Sequence, residues 1–326
     1  MRSLGSYLTA SVLSVVTAGM SVPAGSAAGA PEGMEEVVVE GRHEGPRMWT
    51  VRSGDHTLWI LGTISPLPKK MVWQPDAVEE ALKYTQEVVP AWPSYGIGAN
   101  PITALRVYIA WRHLQKPPDN LPLRESLPPH LYARVEALWI RYAPHDNKIE
   151  QMRPMLAARE LLTHVLDAAG LALHNEVQRD VLALAARHGV RVHQDKLRID
   201  DPVDVIKDVG ATPLASEVAC LDAVVTLLES DLGNMQARAR AWALGDVDAL
   251  RQIPHPDDRA ACIAAVSTSE RVRNLIARAQ DDWLVAVTDS LARNRGTLAV
   301  QSMERLLGEH GTLATLRARG YTIEGP

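Results

Sequence analysis

Three kinds of side chain in this sequence could act chemically: a serine where an apolar run ends, charged pairs near both ends of the chain, and eleven scattered histidines. Ser65 lies in Thr63-Ile64-Ser65-Pro66, and a serine hydroxyl is a nucleophile when a base activates it. The surroundings are not a G-x-S-x-G elbow and the flanking proline restricts the turn, so Ser65 reads as a structural serine bonding the loop backbone. Lys69 and Lys70 follow it and could hold an anion near the start of the next helix; the plainer reading is a solvated pair. Glu304 and Arg305, near the far end, read by themselves as a surface pair on a helix.

The histidines lack metal spacing. His188 and His193 are separated by a glycine-containing turn, and His164 and His174 lie ten apart. There is no H-E-x-x-H and no cysteine-rich ligand set, so the histidines read as solvated or capping residues. Cys220 and Cys262 are the two cysteines. A disulfide between them would add about 4 kcal/mol in the chain-entropy model, but both sit in Ala- and Val-rich helical patterns where a free thiol packs as a small apolar group. Both readings stay open.

The elements that would position these residues follow from periodicity. Trp49 and Val51 alternate, Ser53-Gly54-Asp55 turns the chain, and an apolar run from Thr57 to Leu61 leads out through Gly62, which is a hairpin with a strand-to-loop exit. A helix over 75–84 and a strand over 85–92 complete a β-α-β unit, predicting a parallel pair of that strand with the first. The middle is helical: 103–114, 129–142, 154–169, 174–189, 201–209, 215–232, 235–243 and 245–250, with 121–127 a loop. Two more helices are expected over 257–276 and 277–294, and further strands over 190–193, 297–300 and 320–324. The fold class is α/β or α+β, mostly helical with a small central mixed sheet.

At 326 residues and 46% hydrophobic composition the chain can build one large core or two smaller ones. A net charge of -5 with interspersed signs gives no reason to expect nucleic acid or an anionic membrane as partner. Arg2, the apolar but diluted stretch from Leu4 to Val22, and the small residues Ala24 to Ala30 read as a secretory signal cleaved after Ala28. The expected organisation is a signal peptide over 1–28, a flexible leader over 29–47 and one domain over 48–326. The exported protein has no membrane span and resides in the periplasm or outside a Gram-negative cell. Within the leader, Glu35 to Gly41 resembles the mature start of TonB-dependent receptors and could pair as an added strand with an envelope protein; an edge strand or flexible tail is the simpler reading.

The stretch from Met48 to Trp73, MWTVRSGDHTLWILGTISPLPKKMVW, with Leu306 to Gly311 and LATLRARGYTIE near the end, resembles the opening and closing segments of the TraB/GumN family, related to the TIKI and pheromone-shutdown proteins. The resemblance implies a metal-dependent hydrolase, perhaps a peptidase. The matching positions depart from that chemistry. The G-T-x-H histidine is replaced by Ser65, the acids of the next strand fall near Pro90 and Trp92, and Arg305 stands at or beside a second histidine position after Glu304. A hydroxyl and a guanidinium cannot replace two imidazoles at a divalent metal. If the fold is kept, Ser65, Glu304 and Arg305 meet at one mouth, where Arg305 could bind a ligand carboxylate or phosphate. The expected function is a non-catalytic binding or scaffold protein of the envelope, without cofactor and with an unknown ligand or envelope protein as partner. The alternatives are a hydrolase with a divalent metal on relocated ligands, and an interaction module working through the leader.

Overall fold

The computed structural model describes residues 45–91, 94–97, 100–117, 120–144, 148–173, 176–194, 196–253, 258–307 and 311–326. The expected signal peptide, nearly all of the leader, Trp92 and His174 lie outside the described residues.

The strands are β1 (Met48–Ser53), β2 (His56–Thr63), β3 (Leu67–Pro68), β4 (Glu87–Val89), β5 (Ser94–Ile97), β6 (Leu171–Ala172), β7 (Arg191–Val192), β8 (Lys196–Ile199), β9 (Gly296–Ser302) and β10 (Thr322–Glu324). Six of them form a mixed sheet in the order β10-β1-β2-β9-β4-β7, while β3 pairs with β6 and β5 with β8. The β1–β2 hairpin turns at Gly54, whose φ of 61° suits the first central position of a two-residue turn. One expectation is corrected. β4 runs parallel to β2 but does not pair with it, because β9 inserts between them and pairs in parallel with both. β9 reads GTLAVQS with six of seven residues buried, the pattern of a strand covered on both faces. A strand from near the C-terminal end of the chain thus takes a central place in the sheet.

The helices are α1 (Asp76–Leu82), α2 (Pro101–Leu114), α3 (Leu123–Ser126), α4 (Pro129–Tyr142), α5 (Pro154–Ala168), α6 (Glu176–Arg187), α7 (Pro202–Gly210), α8 (Leu214–Ser230), α9 (Leu232–Leu244), α10 (Val247–Gln252), α11 (Asp258–Val266), α12 (Glu270–Arg293), α13 (Met303–Leu307) and α14 (Thr312–Ala318). Alternate residues of the central strands feed two layers. Leu58, Ile60, Val89 and Ala299 pack with Trp283, Val287 and Leu291 of α12. Leu61, Val88, Leu298 and Val300 face the other way, onto α1, α6 and Trp242 of α9. A further core of helices α3, α4, α5 and α8 surrounds Leu131, Trp139, Leu161 and Leu221. The cysteines are bonded, and the Cys220–Cys262 disulfide ties α8 to α11.

Two other expectations shift. Residues 123–126 form the short α3, one turn being too brief to show a period, and its first residue, Leu123, is fully buried. The break near the C-terminal helices falls at Ser267-Thr268-Ser269 rather than after 276. There Arg273 donates to the carbonyls of Ser267 and Thr268 at 2.8 and 3.1 Å, and Ser269 Oγ bonds Asp208 at 2.7 Å. The hydroxyl run is a helix-start signal that the apolar periodicity on either side masks.

Candidate functional site

β2, β9 and β4 are parallel, so their carboxyl ends open at the same edge of the sheet. In open sheets of this kind ligands sit beyond that edge. A cavity of about 1330 Å³ lies there. Its floor is made by Thr63, Ile64 and Ser65 at the end of β2, Ala91 after β4, and Ser302, Met303 and Glu304 at the end of β9. Its walls are chiefly aliphatic, with Met155, Leu162 and Leu166 from α5, Val224 and Leu227 from α8, and Met235 from α9. The disulfide sits in the same wall. α2 contributes Trp111 and Leu114.

The register explains which sequence candidates meet. Thr63 pairs with Ser302, so Ser65 and Glu304 each lie two residues past the last rung, and both line the cavity. Ser65 is half-buried and its hydroxyl donates to the carbonyl of Leu173 at 3.0 Å. Arg305 is half-buried, its backbone N–H donates to Ser302 Oγ at 3.4 Å, and it is not among the lining residues. The Pro90 carbonyl accepts from the Trp283 indole at 3.0 Å, and the next N–H, of Ala91, donates to Gln178 Oε1 at 2.8 Å. Lys69 forms an ion pair with Asp167, while Lys70 is exposed.

The charged lining groups are four arginines, Arg159, Arg179, Arg238 and Arg251, with the carboxylates of Glu176 and Glu304. Arg179 pairs with Glu176 and Arg251 with Asp248, each at 3.0 Å. Arg238 is nearly buried and satisfied by Asp231. Arg159 is exposed and has no ion-pair partner among the described residues. A divalent metal needs several oxygen, nitrogen or sulfur donors converging on one point. Among the described residues no three His, Cys, Asp or Glu side chains come together that way. Ser65 and Glu304 alone do not make such a site. What this arrangement offers is a largely apolar chamber whose polar lining comprises hydroxyls, arginines and the carboxylates of Glu176 and Glu304.

A second polar centre escapes the periodicity. Glu87, the first residue of β4, is 4% exposed. Its carboxylate accepts from Asn294 Nδ2 at 2.9 Å, Ser290 Oγ at 3.0 Å and His193 Nδ1 at 3.1 Å, with Arg191 and Arg293 each at 3.5 Å. Burial pushes its pKa up, but the hydrogen bonds from Asn294, His193 and Ser290 and the charge of Arg191 outweigh it and hold the carboxyl at about 2, against an ordinary 4.5. The His193 side chain is 13% exposed, so it is neither solvated nor a helix cap; it joins β7 to β4 through this carboxylate. The signal in the sequence is an acid heading an otherwise apolar strand, Glu87-Val88-Val89.

Comparison with curated proteins and with solved structures gives no match. The TraB/PrgY/gumN family model matches residues 47–325, from just before β1 to just past β10. The match takes in all six strands of the sheet and the whole cavity, and the chain belongs to the TraB/PrgY/gumN family.

Proposed function

We propose that this chain is an exported, non-catalytic binding protein of the cell envelope, its ligand an apolar molecule with an anionic end held in the cavity beyond β2, β4 and β9. The observation that carries the reading is the composition of that cavity: chiefly aliphatic walls, with hydroxyls, arginines and the carboxylates of Glu176 and Glu304 but no histidine among its described lining residues. Ser65 spends its proton on the Leu173 carbonyl, with no described side chain bonded to it as a base. Pro90 offers only a carbonyl, already engaged by Trp283. Arg159 supplies a cation for the anionic end. The signal segment at the N-terminus supports export.

The test is titration with a long-chain fluorescent fatty acid. Saturable binding is expected, weakened about tenfold by Leu162→Trp, which fills the chamber, and by Arg159→Glu, which reverses the charge at its mouth. No saturable binding, or binding untouched by both substitutions, would remove the cavity as the ligand site. Stoichiometric metal that raises the melting temperature would restore the hydrolase reading.

A further inference from the structure

Helix α2 turns Thr103, Val107, Ala110 and Leu114 toward the body, at i, i+4, i+7 and i+11, and of these only Leu114 is buried. The remainder of the helix should be polar if it simply faced water. Instead Ile102 is 70% exposed, Leu105 59%, Tyr108 58%, Ile109 46% and Trp111 38%. Ile102, Leu105 and Ile109 fall at i, i+3 and i+7, one stripe on the outer side, with Tyr108 beside it, while Trp111 turns toward the cavity that it lines. An Asn100 cap, whose Oδ1 accepts from the Thr103 N–H at 2.8 Å, and Pro101 in the first turn fix where the helix starts.

The charge pattern of this segment is one-sided. No acidic residue occurs between Glu87 and Asp119, although the whole chain is acidic. Arg106, Arg112 and Lys116 are exposed, and none forms an ion pair among the described residues. Asp204 of the adjoining α7 acts on Arg106 from nearby, and Lys207 shares that acid. Arg112 and Lys116 therefore carry charge that no described acid pairs with. Averaging over the chain to a net -5 conceals this local basic, apolar surface.

We propose that α2 docks the protein on an anionic membrane surface, lying in the plane of the interface. Ile102, Leu105 and Ile109 enter the acyl boundary, Tyr108 sits at headgroup level, and Arg112 and Lys116 face lipid phosphates. No single described helix is long and apolar enough to cross a membrane. Charge argues against a second copy on this face, because pairing two α2 helices would bring like cations together with no acid between them.

The full chain and the compact unit Arg42–Pro326 are each floated with vesicles of phosphatidylglycerol and phosphatidylethanolamine, and with phosphatidylcholine alone. The second protein removes any contribution from the apolar N-terminus. Both should bind the anionic vesicles, bind the neutral ones weakly, and release as salt rises. Leu105→Glu with Ile109→Glu should lower binding about tenfold or more, and Arg112→Glu with Lys116→Glu should abolish the preference for anionic lipid. Thermal melts of these variants should match the parent, since the side chains are exposed; if the double apolar variant melts early, Ile102→Glu at the more exposed helix start replaces it. Failure of Arg42–Pro326 to float, equal binding to neutral vesicles, or undiminished binding by the variants overturns the proposal. So does light scattering that finds a dimer which Leu105→Glu with Ile109→Glu converts to a monomer without vesicle binding, which would assign the face to a second copy.

Discussion

Replacing Glu87 by glutamine removes the charge from the best-satisfied buried group in the sheet. The glutamine amide keeps one accepting oxygen but turns an NH2 toward Asn294, Ser290 or His193, all of which donate to the native carboxylate. A carboxyl held at about 2 instead of 4.5 corresponds to about 3 kcal/mol of stability at neutral pH. The sign follows from proton uptake. Between the folded and unfolded values the unfolded chain binds more protons, so this contribution is complete above about pH 4.5 and is lost as pH falls towards 2. Urea unfolding at pH 7 should show Glu87→Gln less stable by about 3 kcal/mol, and the gap should narrow steadily between pH 4.5 and 2. A gap at pH 7 that persists unchanged at pH 2.5 would refute the electrostatic origin and leave only lost packing. No gap at either pH would show that the network adds nothing.

Other outcomes follow from local geometry. A Cβ at Gly296 would lie 2.0 Å from the carbonyl oxygen of Tyr84, whose backbone is held beside it through the Gln86 N–H to Gly296 bond at 2.9 Å; Gly296→Ala should cost about 3 kcal/mol in urea unfolding. Gly54→Ala meets open space and pays only for its φ of 61°, about 1 kcal/mol. Reducing Cys220–Cys262, which closes a separation of 42 residues, should lower stability by up to about 4 kcal/mol and loosen the cavity wall, read as weaker fatty-acid binding in the same titration. Trp242→Phe leaves the Gly62 carbonyl without the indole donor that reaches it at 2.7 Å, a loss of about 1–3 kcal/mol.

The fold is legible where periodicity is local. Residues 129–142 form a helix with the expected bounds because Leu131, Val135, Leu138 and Trp139 are spaced for one face and Pro129 opens it. All five strand regions named from sequence enter one sheet. Their order does not follow from local pattern: nothing near β4 says that β9, more than two hundred residues later, will separate it from β2. At the site, Ser65 and Glu304 were placed together by the resemblance of both chain ends to one family, and register supports their meeting. Arg305 falls outside the lining, since one step along α13 moves a side chain about 100° around the helix. The aliphatic walls from α5, α8 and α9 were invisible, because a residue lining a chamber and one filling a core look alike in sequence.

The most direct test of the binding reading is a pair of thermal melts of the purified protein, with elemental analysis of the same sample. One melt contains a saturating long-chain fatty acid and the other contains Mn, Co or Zn. A ligand held at 100 times its dissociation constant stabilises a folded protein by about 2.7 kcal/mol. The expected result is a raised melting temperature with the fatty acid, none with any of the metals, and no stoichiometric metal in the sample. A raised melting temperature with metal, at one equivalent or more and with no response to the fatty acid, would contradict the reading and place hydrolase ligands elsewhere in the chain.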